Sequence, residues 1–224
     1  MLIKKLYSSK IFEKLFHTLN YCLKKELSDC ETVLDLGCGP DSPLQFVKNI
    51  KYSVGVETWE PYLKSSKSKN IHSKYLSDKI QDLNIKEKSF DAVILIEVLE
   101  HLNKTDALVI LKRAEKWARK KVIITTPNGF LEQPILDANP YQVHLSGWDV
   151  YVMKKLGFKV FGLAGLKYLR KEKDEEDSMD EDITVSIKFK PKLFWFVIAS
   201  LSQIFTYYFP KYSFGLFCVK DVSE

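Results

Sequence analysis

Five short runs, "TVLDL" (32–36), "YSVGVE" (52–57), "FDAVILI" (90–96), "KVIITT" (121–126) and "FKVFGLA" (158–164), alternate with stretches of helical periodicity such as "DALVILKRAEKWARK". This alternation constrains the chain more than any other feature, because strands joined through helices pair in parallel. The central runs are apolar at nearly every position, the pattern of strands covered by helices on both faces. The expected fold is therefore α/β, a doubly wound and mostly parallel sheet with "FDAVILI" at its centre.

The ends of the chain fit around this sheet. Ile11, Leu15, Phe16, Leu19, Leu23 and Leu27 recur at helical spacing and predict an amphipathic helix from about Ser9 to Leu27. After Pro210, "YSFGLFCVK" reads as a last, antiparallel strand. The expected organisation is an N-terminal helical segment (1–30), a core (31–170), an acidic loop (171–182) and an apolar helix plus final strand that complete the core (183–224). The loop "KEKDEEDSMDED" has one apolar residue and reads as solvated surface.

At 224 residues the chain is long enough for one such domain. Its 34 basic and 29 acidic residues are intermixed, with no basic stripe, so no nucleic-acid partner is expected. Four cysteines, Cys22, Cys30, Cys38 and Cys218, show no C-x-x-C pair, and no metal site is expected from spacing. Charges every few residues in "MLIKKLYSSKIFEKLFHTLNYCLKKEL" break any signal-peptide core, which together with reduced thiols predicts a cytoplasmic protein.

The chemistry is concentrated at "VLDLGCGP" (33–40). In an open parallel sheet the first strand-to-helix turn meets the ligand, and Gly37 and Gly39 let a ligand approach bare backbone. The turn is not G-x-G-x-x-G, since position 42 is Ser42 and Pro40 follows the second glycine. Asp35 would repel a pyrophosphate and attract an ammonium group. Glu57, at the end of the second strand, can accept hydrogen bonds from both hydroxyls of a ribose. S-adenosylmethionine carries both groups. The plainer alternative has Asp35 capping the next helix.

These residues, with "GVE" (55–57) and "SFDAVILIEVLEHL" from Ser89 to Leu102, resemble the class I S-adenosylmethionine-dependent methyltransferases, in particular the small single-domain group with D-x-G-x-G and E-V-L-E-H-L motifs. The resemblance covers roughly Thr32 to Lys121 and implies a Rossmann-like fold. It also implies that Asp35, Gly37, Cys38 and Gly39 hold the methionine part of the cofactor and Glu57 the ribose. Asp78 is expected at the adenine, with Ile80 as an apolar contact, although the family's usual acid position falls on Lys79. Glu97 is expected to line the pocket near the methyl group. Glu100 and His101 read as fixing a helix start by local hydrogen bonds.

The acceptor belongs beside "TTPNGFLEQPILDANPYQVHLSGWDVYVMKKLGF" (125–158), with Asn128, Tyr141 and His144 as its polar residues and Ser146 as a helix cap. His144 is the candidate general base, and the equal alternative has it tying the loop to the sheet. The run "LFWFVIASLSQIFTYYF" (193–209) has no charge and is flanked by Lys188, Lys190, Lys192 and Lys211. It either covers the sheet edge or acceptor cleft, or makes a peripheral contact with an anionic membrane. The expected function is methyl transfer from S-adenosylmethionine to a small-molecule or lipid-like acceptor. A non-catalytic binding module of the same fold and a nicotinamide-dependent oxidoreductase are the alternatives.

Overall fold

A computed structural model describes residues 10–133, 135, 138–171 and 186–223. Seven strands form one sheet among these residues: β1 (Thr32–Leu36), β2 (Tyr52–Val56), β3 (Lys74–Leu76), β4 (Phe90–Ile96), β5 (Ala118–Pro127), β6 (Lys159–Leu166) and β7 (Ser213–Asp221). Their order is β3-β2-β1-β4-β5-β7-β6, so "FDAVILI" is the middle strand. β1 to β5 pair in parallel, and β7 inserts antiparallel between β5 and β6.

The two-residue period of each strand divides its apolar side chains between two cores. On one face Leu34, Leu36, Val93, Leu95, Val122, Ile124, Leu216 and Cys218 pack with Ile110, Leu111 and Trp117 of α4 (Lys104–Trp117). On the other, Val33, Ala92, Ile94, Ile123, Phe217 and Val219 pack with Leu23 of α2 (Leu19–Glu26) and Tyr207 of α6 (Lys192–Tyr208). The remaining helices are α1 (Lys10–Leu15), α3 (Glu60–Ser68) and α5 (Val150–Lys155).

The single N-terminal helix expected from Ser9 to Leu27 is two helices, α1 and α2, and Ser9 itself lies outside the described residues. His17 adopts a left-handed backbone at φ 45°, and the Thr18 side chain then accepts from the Tyr21 amide to cap α2. Of the acidic loop expected at 171–182, residues 172–182 lie outside the described residues. The helix expected at 193–209 is α6, and no helix among the described residues is long and apolar enough to cross a membrane.

The chain leaves β1 toward β2 on one side of the sheet, while β4 continues to β5 on the other. The carboxyl ends of β1 and β4 therefore flank the point where strand order reverses, the position at which such sheets bind ligands.

Candidate functional site

A cavity of about 620 Å³ opens at this reversal point. Asp35, Gly37, Cys38, Gly39, Glu57, Ile80, Glu97 and His144 all line it. Gly37 and Gly39 both have positive φ, 67° and 59°, which L side chains rarely adopt. A Cβ on Gly37 would meet Val98 at 2.7 Å, whereas one on Gly39 would meet nothing within 4 Å. The first glycine is therefore required by packing, and the second leaves open space.

Two carboxylates bracket the bend. The Gly39 amide donates to Glu57 Oε2 (3.0 Å) and the Trp59 amide to Glu57 Oε1 (2.8 Å), so Glu57 ties the end of β2 to the glycine turn. Asp35 is 1% exposed, accepts from Ser42 Oγ and lies 3.4 Å from His72 Nε2. Burial pushes the Asp35 carboxyl up to about 7 against the Ser42 hydrogen bond, with the Glu57 charge adding to it. Burial lowers His72 to about 4, so it stands beside Asp35 as a neutral ring.

A second group of ligating atoms gathers across the cavity. One ligand atom each from Glu100, His101 and His144 lies within 4.8 Å of the others. Glu100 is 2% exposed and neither carboxylate oxygen has a hydrogen-bond partner. Burial, and next the Glu97 charge, hold its carboxyl well above the usual range. His101 Nδ1 lies 3.3 Å from the Val143 carbonyl, and His144 Nδ1 lies 2.7 Å from that of Leu131. A ring nitrogen facing a carbonyl carries the proton, which leaves a lone pair on each Nε2. Burial, then the neighbouring His144, lowers His101 to about 4, and burial lowers His144 as well. Glu100, which loses its proton on metal binding, and two neutral imidazoles form a donor set suited to a divalent transition metal.

Glu97 follows β4 in the left-handed region at φ 54°, and its amide donates to the Thr125 carbonyl and hydroxyl, both at 3.1 Å. It borders the main cavity and a second one of about 410 Å³, and Pro127 is the other residue common to both. The second cavity is lined by Phe16, Leu19, Leu163 and Phe214 together with polar residues that include Asn20, Arg170 and Gln203.

Several expected residues sit elsewhere. Asp78 is not among the residues lining the cavity; its side chain is exposed and its carbonyl accepts from the Thr58 hydroxyl. Lys79, Ile80 and Gln81 line the cavity in its place. Glu100 and His101 do not cap the next helix, because the Asn103 side chain accepts from the Asp106 amide and starts α4. The Glu100 carbonyl instead accepts from the amides of Leu145 and Ser146, fastening the loop that carries His144. Ser146 is no helix cap: it donates to the Leu99 carbonyl and accepts from Trp148 Nε1, while Asp149 caps α5. Tyr141 lines the cavity, and Asn128 is spent on the carbonyls of Pro210, Lys211 and Ser213. The metal-capable cluster differs from the expectation of no metal site, because 43 positions separate His101 from His144 and no local spacing announces it. Ser42 and His72, the partners of Asp35, carried no sequence signal either.

Comparison with known proteins adds an independent line. Residues 34–125 match a family model described as a methyltransferase domain. A small RNA 2'-O-methyltransferase of Tetrahymena thermophila is 32% identical over 115 residues, 43% of this chain and 26% of the relative. The chain thus spans about a quarter of that relative's length. Among solved structures, a SAM-dependent methyltransferase from Archaeoglobus fulgidus aligns with TM-score 0.54 at 18% identity, covering 94% of this chain and 98% of its own. The plantazolicin methyltransferase BpumL in complex with SAH aligns with TM-score 0.55 at 9% identity, over 100% of this chain and 89% of its own. The structural likenesses concern the fold.

Proposed function

We propose, on the premise that this chain carries a class I S-adenosylmethionine-dependent methyltransferase domain, that it moves a methyl group to a hydroxyl of a small-molecule or lipid-like acceptor. The observation that carries the hydroxyl reading is Glu100, a buried carboxylate with no protein partner, grouped with His101 and His144 in the same cavity as Asp35 and Glu57. When bound, S-adenosylmethionine supplies a methyl already activated on a sulfonium, and a divalent cation held by Glu100, His101 and His144 would acidify the acceptor hydroxyl.

The residues of the chain then have distinct tasks. Asp35 attracts the ammonium group and Glu57 the ribose hydroxyls, while the open space at Gly39 admits the ligand to backbone. Ile80 supplies apolar contact to the adenine, with Gln81 taking the polar role first expected of Asp78. Glu97, shared by both cavities, stands where cofactor and acceptor would meet, and its carboxylate accepts the hydroxyl proton. His144, the base expected from sequence, becomes a ligand whose other nitrogen is engaged by Leu131. Aligning the two reactants contributes up to about 7–11 kcal/mol, so most of the work is positioning.

The apolar part of the second cavity, formed by Phe16, Leu19, Leu163 and Phe214, supports an acceptor with an apolar body. The relative's name favours a second reading, a ribose hydroxyl of RNA. Six carboxylates line the main cavity, Asp35, Asp41, Glu57, Glu97, Glu100 and Asp106, against the single lysine Lys79. With Lys79 as its one lysine, the cavity lacks the positive charge that holds a phosphodiester strand, which favours the first reading.

Calorimetry and a labelled-methyl assay test the proposal. S-adenosylhomocysteine and Mn²⁺ are expected to bind, and His101→Ala with His144→Ala to abolish Mn²⁺ binding while cofactor affinity stays within about threefold. Glu97→Gln should lower methyl transfer by roughly 10²–10⁴-fold without loss of cofactor binding. Undiminished turnover in Glu97→Gln overturns the base assignment, and labelling of an RNA oligonucleotide in preference to lipid extracts selects the second reading.

A further inference from the structure

The last helix is apolar on its outer face as well as on the face it buries. α6 buries Phe196, Ala199, Gln203, Thr206 and Tyr207, while Phe194, Val197, Leu201, Ile204, Phe205 and Tyr208 are between 38% and 63% exposed. These six recur at helical spacing and form one apolar stripe along the outside. An amphipathic helix on a globular protein normally has a polar outer face.

The helix is held in this orientation by its polar side chains. Gln203 accepts from the Gly165 amide (2.7 Å) and donates to the Gly162 carbonyl (2.9 Å), and Ser202 Oγ accepts from the Leu166 amide (2.9 Å). A Cβ on Gly162 would lie 2.1 Å from the Thr206 carbonyl oxygen, and one on Gly165 2.1 Å from that of Ala199. Helix backbone thus rests directly on β6, and rolling the helix to hide its stripe would break this contact.

Charge identifies what covers the stripe. Lys188, Lys190 and Lys211 are exposed at its two ends, Lys188 lies over the exposed Tyr168 ring, and no Asp or Glu occurs from position 186 to 220. We propose that this face lies on an anionic lipid bilayer, with the stripe at the boundary of headgroups and acyl chains and the lysines among the headgroups. At 17 residues the helix is about 25 Å long, and it lies in the membrane plane without crossing it. A second copy of the chain would bring the same lysines to the contact, which disfavours self-association. The acidic stretch 172–182 has Met179 as its one apolar residue and offers no apolar cover.

The inference is independent of methyl transfer, and its test reads no activity. The full chain is floated with vesicles of phosphatidylcholine alone and of phosphatidylcholine with phosphatidylglycerol. Wild type is expected to float with the anionic vesicles. Phe194→Glu with Phe205→Glu should reduce partitioning at least tenfold, and each of Lys188→Gln, Lys190→Gln and Lys211→Gln should reduce the anionic preference roughly fivefold. Leu201→Lys serves as a second stripe variant, and thermal unfolding establishes that each variant is folded. Wild type left in the soluble fraction with both vesicle types overturns the proposal, as does equal flotation of the folded stripe variants. A dimer in gel filtration that the stripe variants dissociate, without flotation of wild type, assigns the face to a second copy instead.

Discussion

At the scale of single residues, the two glycines of "GCG" do different work although the sequence writes them alike. Gly37 sits under Val98, so Gly37→Ala adds overpacking to the cost of a left-handed alanine. The variant should lose about 2–4 kcal/mol in urea unfolding. Gly39 is strained to a similar φ but faces empty cavity, so Gly39→Ala should lose about 1 kcal/mol of stability. Its calorimetric affinity for S-adenosylhomocysteine should nevertheless fall at least tenfold. Equal effects of the two substitutions on stability, with affinity untouched in Gly39→Ala, would refute this division. The acids Asp35 and Glu57 were legible because strand ends in such sheets point to the ligand. What surrounds them was not: His72 comes to 3.4 Å from Asp35 from beyond α3, and Gly55 owes its lack of a side chain to that ring, which a Cβ would meet at 2.5 Å.

At the scale of elements, strands were readable because burial on both faces leaves a nearly unbroken apolar signature. Helix boundaries were less so, since a cap is a local hydrogen bond that periodicity does not register. Thr18 divides one apparent N-terminal helix, and Asn103, not the eye-catching Glu100 and His101, starts α4. The chain's reuse of Glu100 for fastening the 145–146 amides depends on a contact across the fold and left no local trace. α6 is the clearest mismatch between composition and orientation: its apolar face was evident, but that this face would be the outer one follows from the two glycines of β6. Gln203→Leu should therefore be costly despite the gain in hydrophobicity, because the Gly165 amide and Gly162 carbonyl lose their partner. Each orphaned group costs about 1–3 kcal/mol. Phe205→Ser, on the outer stripe, should change stability by no more than about 0.5 kcal/mol. Urea denaturation of both variants checks this, and a reversed order of costs would mean that the helix packs by its apolar face.

At the scale of the whole molecule, the end of the central strands opposite the cavity is tied by a polar knot. Asp91 at the start of β4 accepts from the amides of Glu31 and Thr32 at 2.9 and 3.0 Å, from the Thr32 hydroxyl, and from Arg119 Nε of β5 at 3.1 Å. Three neighbouring strands are thereby joined through one carboxylate, far from any ligand. Burial alone would raise that carboxyl, but the two amides and the Arg119 guanidinium outweigh it and hold it at about 2, below its ordinary 3.8. A group depressed in the folded state contributes stability that is complete above its unfolded pKa and disappears as pH falls through the folded value. The knot should thus stabilise fully above about pH 5 and weaken progressively toward pH 2. Asp91→Asn keeps the shape and loses the charge, so it should lower stability at pH 7 by about 2 kcal/mol, or about 4–8 °C in Tm at this length. The deficit relative to wild type should shrink as both are acidified, because protonation imposes on wild type what the substitution imposes at every pH. Thermal melts of both proteins at pH 7, 4 and 2 measure this. A deficit that stays constant across the series would mean that Asp91 acts through shape alone, and that the central strands are tied without its charge.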